Sequence, residues 1–215
     1  MKYIIMCGGK YENWQTPRHL LSYKGEPIVS RTIRLLRETG INDIAISSNS
    51  KVFERMGVPL LKHNNRYVTR AYNDSDGYWC DAFYPMEDPA CYIFGDVVFS
   101  PEAIKTIVEY ETDDIMLFGS KPPFSSEYPK PYIEPFAFKV ANQKHLREAI
   151  EKCKSLPQSA FAREPIAWEL WYIITGSPTY QEPWKAMQGR ARDYVAINDY
   201  TCDIDDPKET KKILI

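Results

Sequence analysis

Three groups of residues in this 215-residue chain have types and spacing suited to chemistry on phosphates. Asp96 follows Gly95 at the end of the apolar run Ala90-Cys-Tyr-Ile-Phe94. A carboxylate at the carboxyl end of a buried strand can hold a divalent cation, which would neutralise phosphate charge; a helix-proximal cap or a turn aspartate is the plainer alternative. The second group is Asp203 and Asp205, in Cys202-Asp-Ile-Asp-Asp-Pro-Lys-Glu209. Two positions apart, they share one face of an extended segment. Carboxylates so placed repel unless they are solvated or bind a cation. Asp206, with Pro207 and Glu209, reads instead as a helix start of the capping-box kind. The third group is the Gly8-Gly9 turn with Lys10, Arg18, His19 and Lys24. Backbone amides beside a positive balance suit a phosphate chain. A basic surface loop is the alternative, and the strict dinucleotide and P-loop glycine spacings are absent. His63 and His145 are isolated and read as surface or packing residues, and no Ser-His-Asp or Cys-His pairing can be argued.

The elements that must position these groups follow from the apolar pattern. Tyr3–Cys7 is an unbroken apolar run, as in a strand buried on both faces of a parallel sheet. Gly8 and Gly9 stop it. Pro27 sits where a helix begins, Ile28, Val29, Ile33, Leu35 and Leu36 form its apolar face, and Gly40 closes it. Strands are then predicted over 41–48, 58–61, 90–94, 114–119, 136–140 and 194–197. Short helices are predicted over 50–56 and near 78–83. Longer ones follow Ser100-Pro101-Glu102 and run over 142–154, 162–175 and 206–214; the first of these carries its own N-cap and first-turn proline. The prolines of 121–135 read as a loop or an edge arm. Strands alternating with helices give an α/β fold: one domain over residues 1–215, with a mainly parallel, mixed sheet flanked by helices. Ligands of open α/β sheets bind beyond the carboxyl ends of the strands, where the glycine turn and Asp96 both fall.

Composition excludes several function classes. A formal charge of -2 argues against a nucleic-acid or acidic-membrane partner, and no apolar run approaches a membrane span. Met1 leads directly into Lys2 and the first strand, so no signal peptide is expected. Five scattered cysteines lack the paired spacing of a zinc site or redox pair; buried thiols in a reducing cytoplasm are the expectation. Aromatic residues make up 13%, many in the second half, which is therefore expected to pack or bind with rings.

Four stretches together resemble the nucleotidyltransferases of the sugar-phosphate and phosphocholine type, whose fold is like that of the nucleotide-diphospho-sugar transferases. They are YIIMCGG, TPRHLLSYKGEPIVSRTIRLLRETGINDIAI, YIFGDVVF and CDIDDPKETKKI, in family order from end to end of the chain. The resemblance implies a nucleotide-binding half (1–120) and an acceptor-binding half (121–215). It implies attack by a phosphorylated small-molecule acceptor, a sugar phosphate or phosphocholine, on the α-phosphorus of a nucleoside triphosphate, with release of pyrophosphate. Asp96 and Asp205 would hold Mg²⁺, with Asp203 the alternative to Asp205. Arg18 stands where the family has a phosphate-contacting lysine. Gly8, Gly9, Lys10, Asn73 and Asp74 would line the nucleotide, and Lys130 and Glu134 the acceptor. Such an enzyme would serve sugar-nucleotide and cell-surface polysaccharide synthesis in the cytoplasm, and is compatible with a homo-oligomer. The first loop departs from the pattern: Lys10–Pro17 is short and lacks the family's further glycines and triphosphate-gripping arginine. Arginine for lysine at position 18 also replaces a point charge by a planar fork. The departures keep two alternatives open, a glycosyltransferase using a nucleotide sugar and a catalytically impaired nucleotide-sugar-binding protein.

Overall fold

A computed structural model describes residues 1–8, 16–63, 79–120, 133–156, 166–176 and 193–205. The first half carries β1 (Lys2–Met6), the hairpin β2 (Ser22–Tyr23) and β3 (Glu26–Pro27), α1 (Ile28–Glu38), β4 (Ile44–Ser48), β5 (Leu60–Lys62), β6 (Ala90–Phe94), β7 (Val97–Val98), α2 (Pro101–Glu109) and β8 (Ile115–Ser120). The second carries β9 (Pro135–Val140), α3 (Gln143–Ser155), α4 (Ala167–Ile174), β10 (Val195–Ile197) and β11 (Cys202–Asp203).

Seven strands form one sheet in the order β10-β8-β9-β6-β1-β4-β5. β1 lies between β4 and β6 and is parallel to both; β4–β5 and β8–β10 are also parallel. The expected α/β fold with a mainly parallel, mixed sheet is therefore present, and β9, antiparallel to β6 and β8, is its reversed strand. Alternation explains the unbroken apolar run of β1. Tyr3 and Ile5 enter the core on one face of the sheet with α1 and α2, while Ile4 and Met6 enter the core on the other with α3 and α4. A strand covered on both faces needs apolar residues at every position.

Element boundaries differ from the periodicity in ways that capping explains. The strand expected from Ile41 begins at Ile44. Gly40 takes φ +87°, and Ile41 N–H donates to Leu36 O at 3.0 Å, so Ile41 closes α1 rather than starting β4. The helix expected over 50–56 is a 3-10 turn, Lys51–Arg55; few residues separate the Ser50 cap from the Gly57 reversal, and short segments of this kind favour the tighter turn. The Trp79–Ala82 segment is likewise 3-10. Ser100 caps α2 as expected, its Oγ accepting from Ala103 N at 2.8 Å. The helix expected over 162–175 is seen from Ala167 to Ile174, and the one expected over 206–214 lies outside the described residues.

Candidate active site

The carboxyl ends of three parallel strands lie side by side. Ser48 Oγ, at the end of β4, donates to Cys7 O at 2.7 Å, and Gly95 N, just past β6, donates to Met6 O at 3.0 Å. Gly95 has to be glycine here: a Cβ would stand 2.6 Å from Cys7 Sγ and 2.7 Å from Met6 O. Gly95-Asp96 thus forms a tight connection between β6 and β7, pressed against the end of β1. β7 in turn pairs antiparallel with β11, Val97 opposite Asp203, and Ile204 N donates to Asp96 O at 3.1 Å. Backbone pairing therefore carries the C-terminal aspartates to Asp96 across more than a hundred positions of chain.

Arg18 joins them. It opens a 3-10 turn, Arg18–Leu20, entered through Pro17. Its guanidinium reaches Asp96 Oδ2 at 2.6 Å from Nη2 and Asp205 Oδ1 at 3.2 Å from Nη1. Nη1 also donates to Ile204 O at 3.3 Å. Asp96 and Arg18 are largely covered, and Asp205 is half exposed. The Asp96 contact has the short length of a charge-assisted bond and is the stronger of the two.

A second acidic group adjoins the first. Ligand-capable oxygens of Glu134, Asp203 and Asp205 lie within 4.8 Å of one another. Glu134 is buried and firmly placed: its N–H donates to Ser120 Oγ at 2.8 Å, its carbonyl accepts from Ser120 N at 2.9 Å, and its Oε2 accepts from Asp203 N at 3.2 Å. An all-carboxylate donor set suits a hard divalent cation. The guanidinium lodged between Asp96 and Asp205 shows that this end of the sheet accommodates a cationic group.

The groups behind this surface are electrically quiet. His19, which the sequence placed in a basic loop, is buried at 1% exposure. Its ring packs edge-on against Phe53, with centroids 5.8 Å apart. Burial lowers its pKa to about 4; Asp96 opposes this and Arg18 adds to it. His19 is therefore neutral at pH 7 and contributes no phosphate-binding charge. Burial, and then the Asp96 charge, push the Cys7 thiol up, so it stays protonated. Neither residue is poised as a base or nucleophile near neutrality. What the arrangement can do is bind and position charge.

Of the residues singled out in the sequence, Gly8, Arg18, Asp96, Asp205 and Glu134 gather at this end of the sheet. Gly9, Lys10, Asn73, Asp74 and Lys130 lie outside the described residues. The extended run through Asp203 and Asp205 brings both to Glu134. Asp203, the sequence's alternative to Asp205, stands beside it. The link between Glu134 and Ser120 was not legible, because it depends on β9 returning antiparallel beside β8. A weak signal existed in Gly119, where a Cβ would meet Glu134 O at 2.7 Å: a glycine inside a strand marks close backbone approach. His145, read as isolated, holds Asp114 with Nδ1 2.8 Å from Oδ1, away from the acidic groups.

No family model matches the sequence, and no curated protein matches it. Solved structures share its fold. Rv0371c from Mycobacterium tuberculosis H37Rv is 15% identical, with 99% of this chain and 96% of that chain covered and a TM-score of 0.54. The same protein in complex with manganese aligns at 12% identity, 99% and 96% coverage and a TM-score of 0.53. HddC from Yersinia pseudotuberculosis, complexed with GMP-PN, is 12% identical over 99% and 97% of the two chains, TM-score 0.50. The inositol-1-phosphate CTP transferase from T. maritima is more distant in structure, at 17% identity, 97% and 90% coverage and a TM-score of 0.48. No described helix is long and apolar enough to cross a membrane.

Proposed function

We propose that this chain is a metal-dependent nucleotidyltransferase that joins a nucleoside triphosphate to a phosphorylated small-molecule acceptor and releases pyrophosphate. The observation that carries the reading is the meeting of Arg18, Asp96 and Asp205 at the carboxyl ends of the parallel strands, near Gly8 just past the end of β1. Solved neighbours of this fold with manganese and with GMP-PN support a metal and a nucleotide as ligands.

In this reading Asp96 and Asp205 hold Mg²⁺, with Asp203 and Glu134 adding negative field next to it. A metal held there would supply charge neutralisation to the phosphates. Gly8 and Gly9 present backbone amides to the triphosphate, and Lys10 and Arg18 provide its cationic contacts. Asn73 and Asp74 line the nucleotide, and Lys130 faces the acceptor. The neutral His19 and the protonated Cys7 beneath fit a reaction driven by positioning and electrostatics, with little acid–base work for the protein.

The test is pyrophosphate release from each nucleoside triphosphate with Mg²⁺ and a panel of sugar phosphates and phosphocholine. Turnover is expected with at least one pair, and Asp96→Asn should lower it by roughly 10²-fold or more. Equal rates for wild type and Asp96→Asn would remove the metal role from Asp96. The short Lys10–Pro17 loop favours a second reading, a glycosyltransferase that takes a nucleotide sugar. Tight binding of a nucleoside diphosphate sugar, without pyrophosphate release from any triphosphate, would select it.

A further inference from the structure

We infer that Arg18 is an exchangeable internal cation: its guanidinium, held by Asp96 and Asp205, competes with a divalent metal for these carboxylates, and metal binding expels it toward the phosphates. The inference rests on the reading above that these two aspartates hold a metal.

The geometry supplies the argument. One guanidinium binds two different carboxylates, through Nη2 to Asp96 at 2.6 Å and through Nη1 to Asp205 at 3.2 Å. Metal–oxygen distances of about 2.0–2.6 Å would bring the ligating oxygens closer to the bound cation than an N–H donor allows. Metal and guanidinium therefore compete for the same oxygens, and two cations at one site repel. The hold on the guanidinium is uneven. Its Asp205 and Ile204 contacts, at 3.2 and 3.3 Å, are at the long end of the N–H···O range, and Asp205 is half exposed.

The residue after Arg18, His19, is buried against Phe53, and Leu20 N–H donates back to Pro17 O at 2.8 Å. The turn is anchored by its neighbour, so the exchange is assigned to the Arg18 side chain. Nearby Glu134 and Asp203 lend negative potential that retains a dication after Arg18 leaves. An arginine at this position thus does two things: it neutralises the carboxylates while the site lacks metal, and it delivers a planar two-pronged phosphate donor once metal arrives.

The experiment measures Mn²⁺ binding to the full chain by electron paramagnetic resonance, with Mn²⁺ alone as probe. Arg18→Met should bind Mn²⁺ more tightly than wild type, by about tenfold or more, because a competing unit charge a few ångströms away is gone. Asp96→Asn should bind more weakly. A companion measurement on wild type follows the Arg18 Nε–H resonance, identified by its loss in Arg18→Lys, as Mg²⁺ is added; a saturable shift is expected. It decides the question if Arg18→Met does not fold. Mn²⁺ binding with equal or lower affinity in Arg18→Met, or an Arg18 resonance unmoved while metal binds, would overturn the exchange and leave the metal reading standing. No Mn²⁺ binding by wild type or Arg18→Met would overturn both.

Discussion

His19 shows how a single buried residue imposes a pH dependence on this fold. Its pKa is about 4 in the folded protein, whereas an exposed histidine in the unfolded chain titrates near 6.5. Between those values the unfolded chain binds more protons, so stability rises with pH. The contribution is fully present above about pH 6.5 and is lost as pH falls toward 4, an overall loss of roughly 3 kcal/mol. Denaturant unfolding of wild type and His19→Leu across pH 4–7.5 measures it. The difference between the two should grow in favour of the leucine variant as pH drops through that window. A difference that stays constant with pH would mean that His19 titrates in the folded protein as it does in the unfolded chain.

At the scale of elements, two local constructions hold the site's supports. Lys139, in β9, is buried, and its Nζ donates to three carbonyls at the end of α2: Ile107 at 3.0 Å, Val108 at 2.8 Å and Tyr110 at 2.6 Å. It fills the place of the missing intrahelical donors and complements the negative end of the helix. Burial lowers its pKa, with Cys91 and Glu111 opposing. Lys139→Met leaves those carbonyls without their shared donor and should cost about 2–3 kcal/mol in unfolding free energy. The other construction is Gly95. Gly95→Ala places a methyl group within 2.7 Å of the backbone oxygen of Met6, so the β6–β7 connection must shift. We expect a stability loss of about 1–3 kcal/mol, together with a fall in turnover because Asp96 moves with the connection. A wild-type melting curve for Gly95→Ala would show that the close approach is easily relieved.

For the whole molecule, the sheet order predicts where the fold opens last. β1 and β6 sit in the middle of the sheet with both faces covered, whereas β5 and β10 are its edges. Native-state hydrogen exchange should find the slowest amides in Tyr3–Met6 and Cys91–Phe94 and much faster ones in Leu60–Lys62 and Val195–Ile197. The C-terminal segment is tied back at several points. Ser100 N donates to Thr201 Oγ1 at 2.9 Å, Arg31 donates to Tyr200 Oη at 3.2 Å and lies over the Tyr23 ring at 5.2 Å, and Tyr23 stacks with Tyr200. Residues near both ends of the chain are thereby held on one side of the sheet. Uniform protection across the sheet would contradict this picture of a graded fold.

The sequence by itself determined the α/β class, the central strands and the capped helices. These are local matters: apolar runs report burial on both faces, and Ser100-Pro101 or Gly40 mark helix ends through backbone chemistry within a few residues. It also offered Asp96 at a strand end, Arg18 among the basic residues of the first loop and Asp205 beside Asp203 in an acidic turn, and the family resemblance implied their separate roles. Their direct contact was decided only in three dimensions. Arg18 and Asp205 are 187 positions apart, and no local periodicity encodes the antiparallel pairing of β7 with β11 that brings them together. The same holds for Glu134, which joins Asp203 across 69 positions through the reversed strand β9. Burial of His19 was equally hidden, since a polar residue in a basic stretch reads as exposed until Phe53 and the turn at Gly95 close over it.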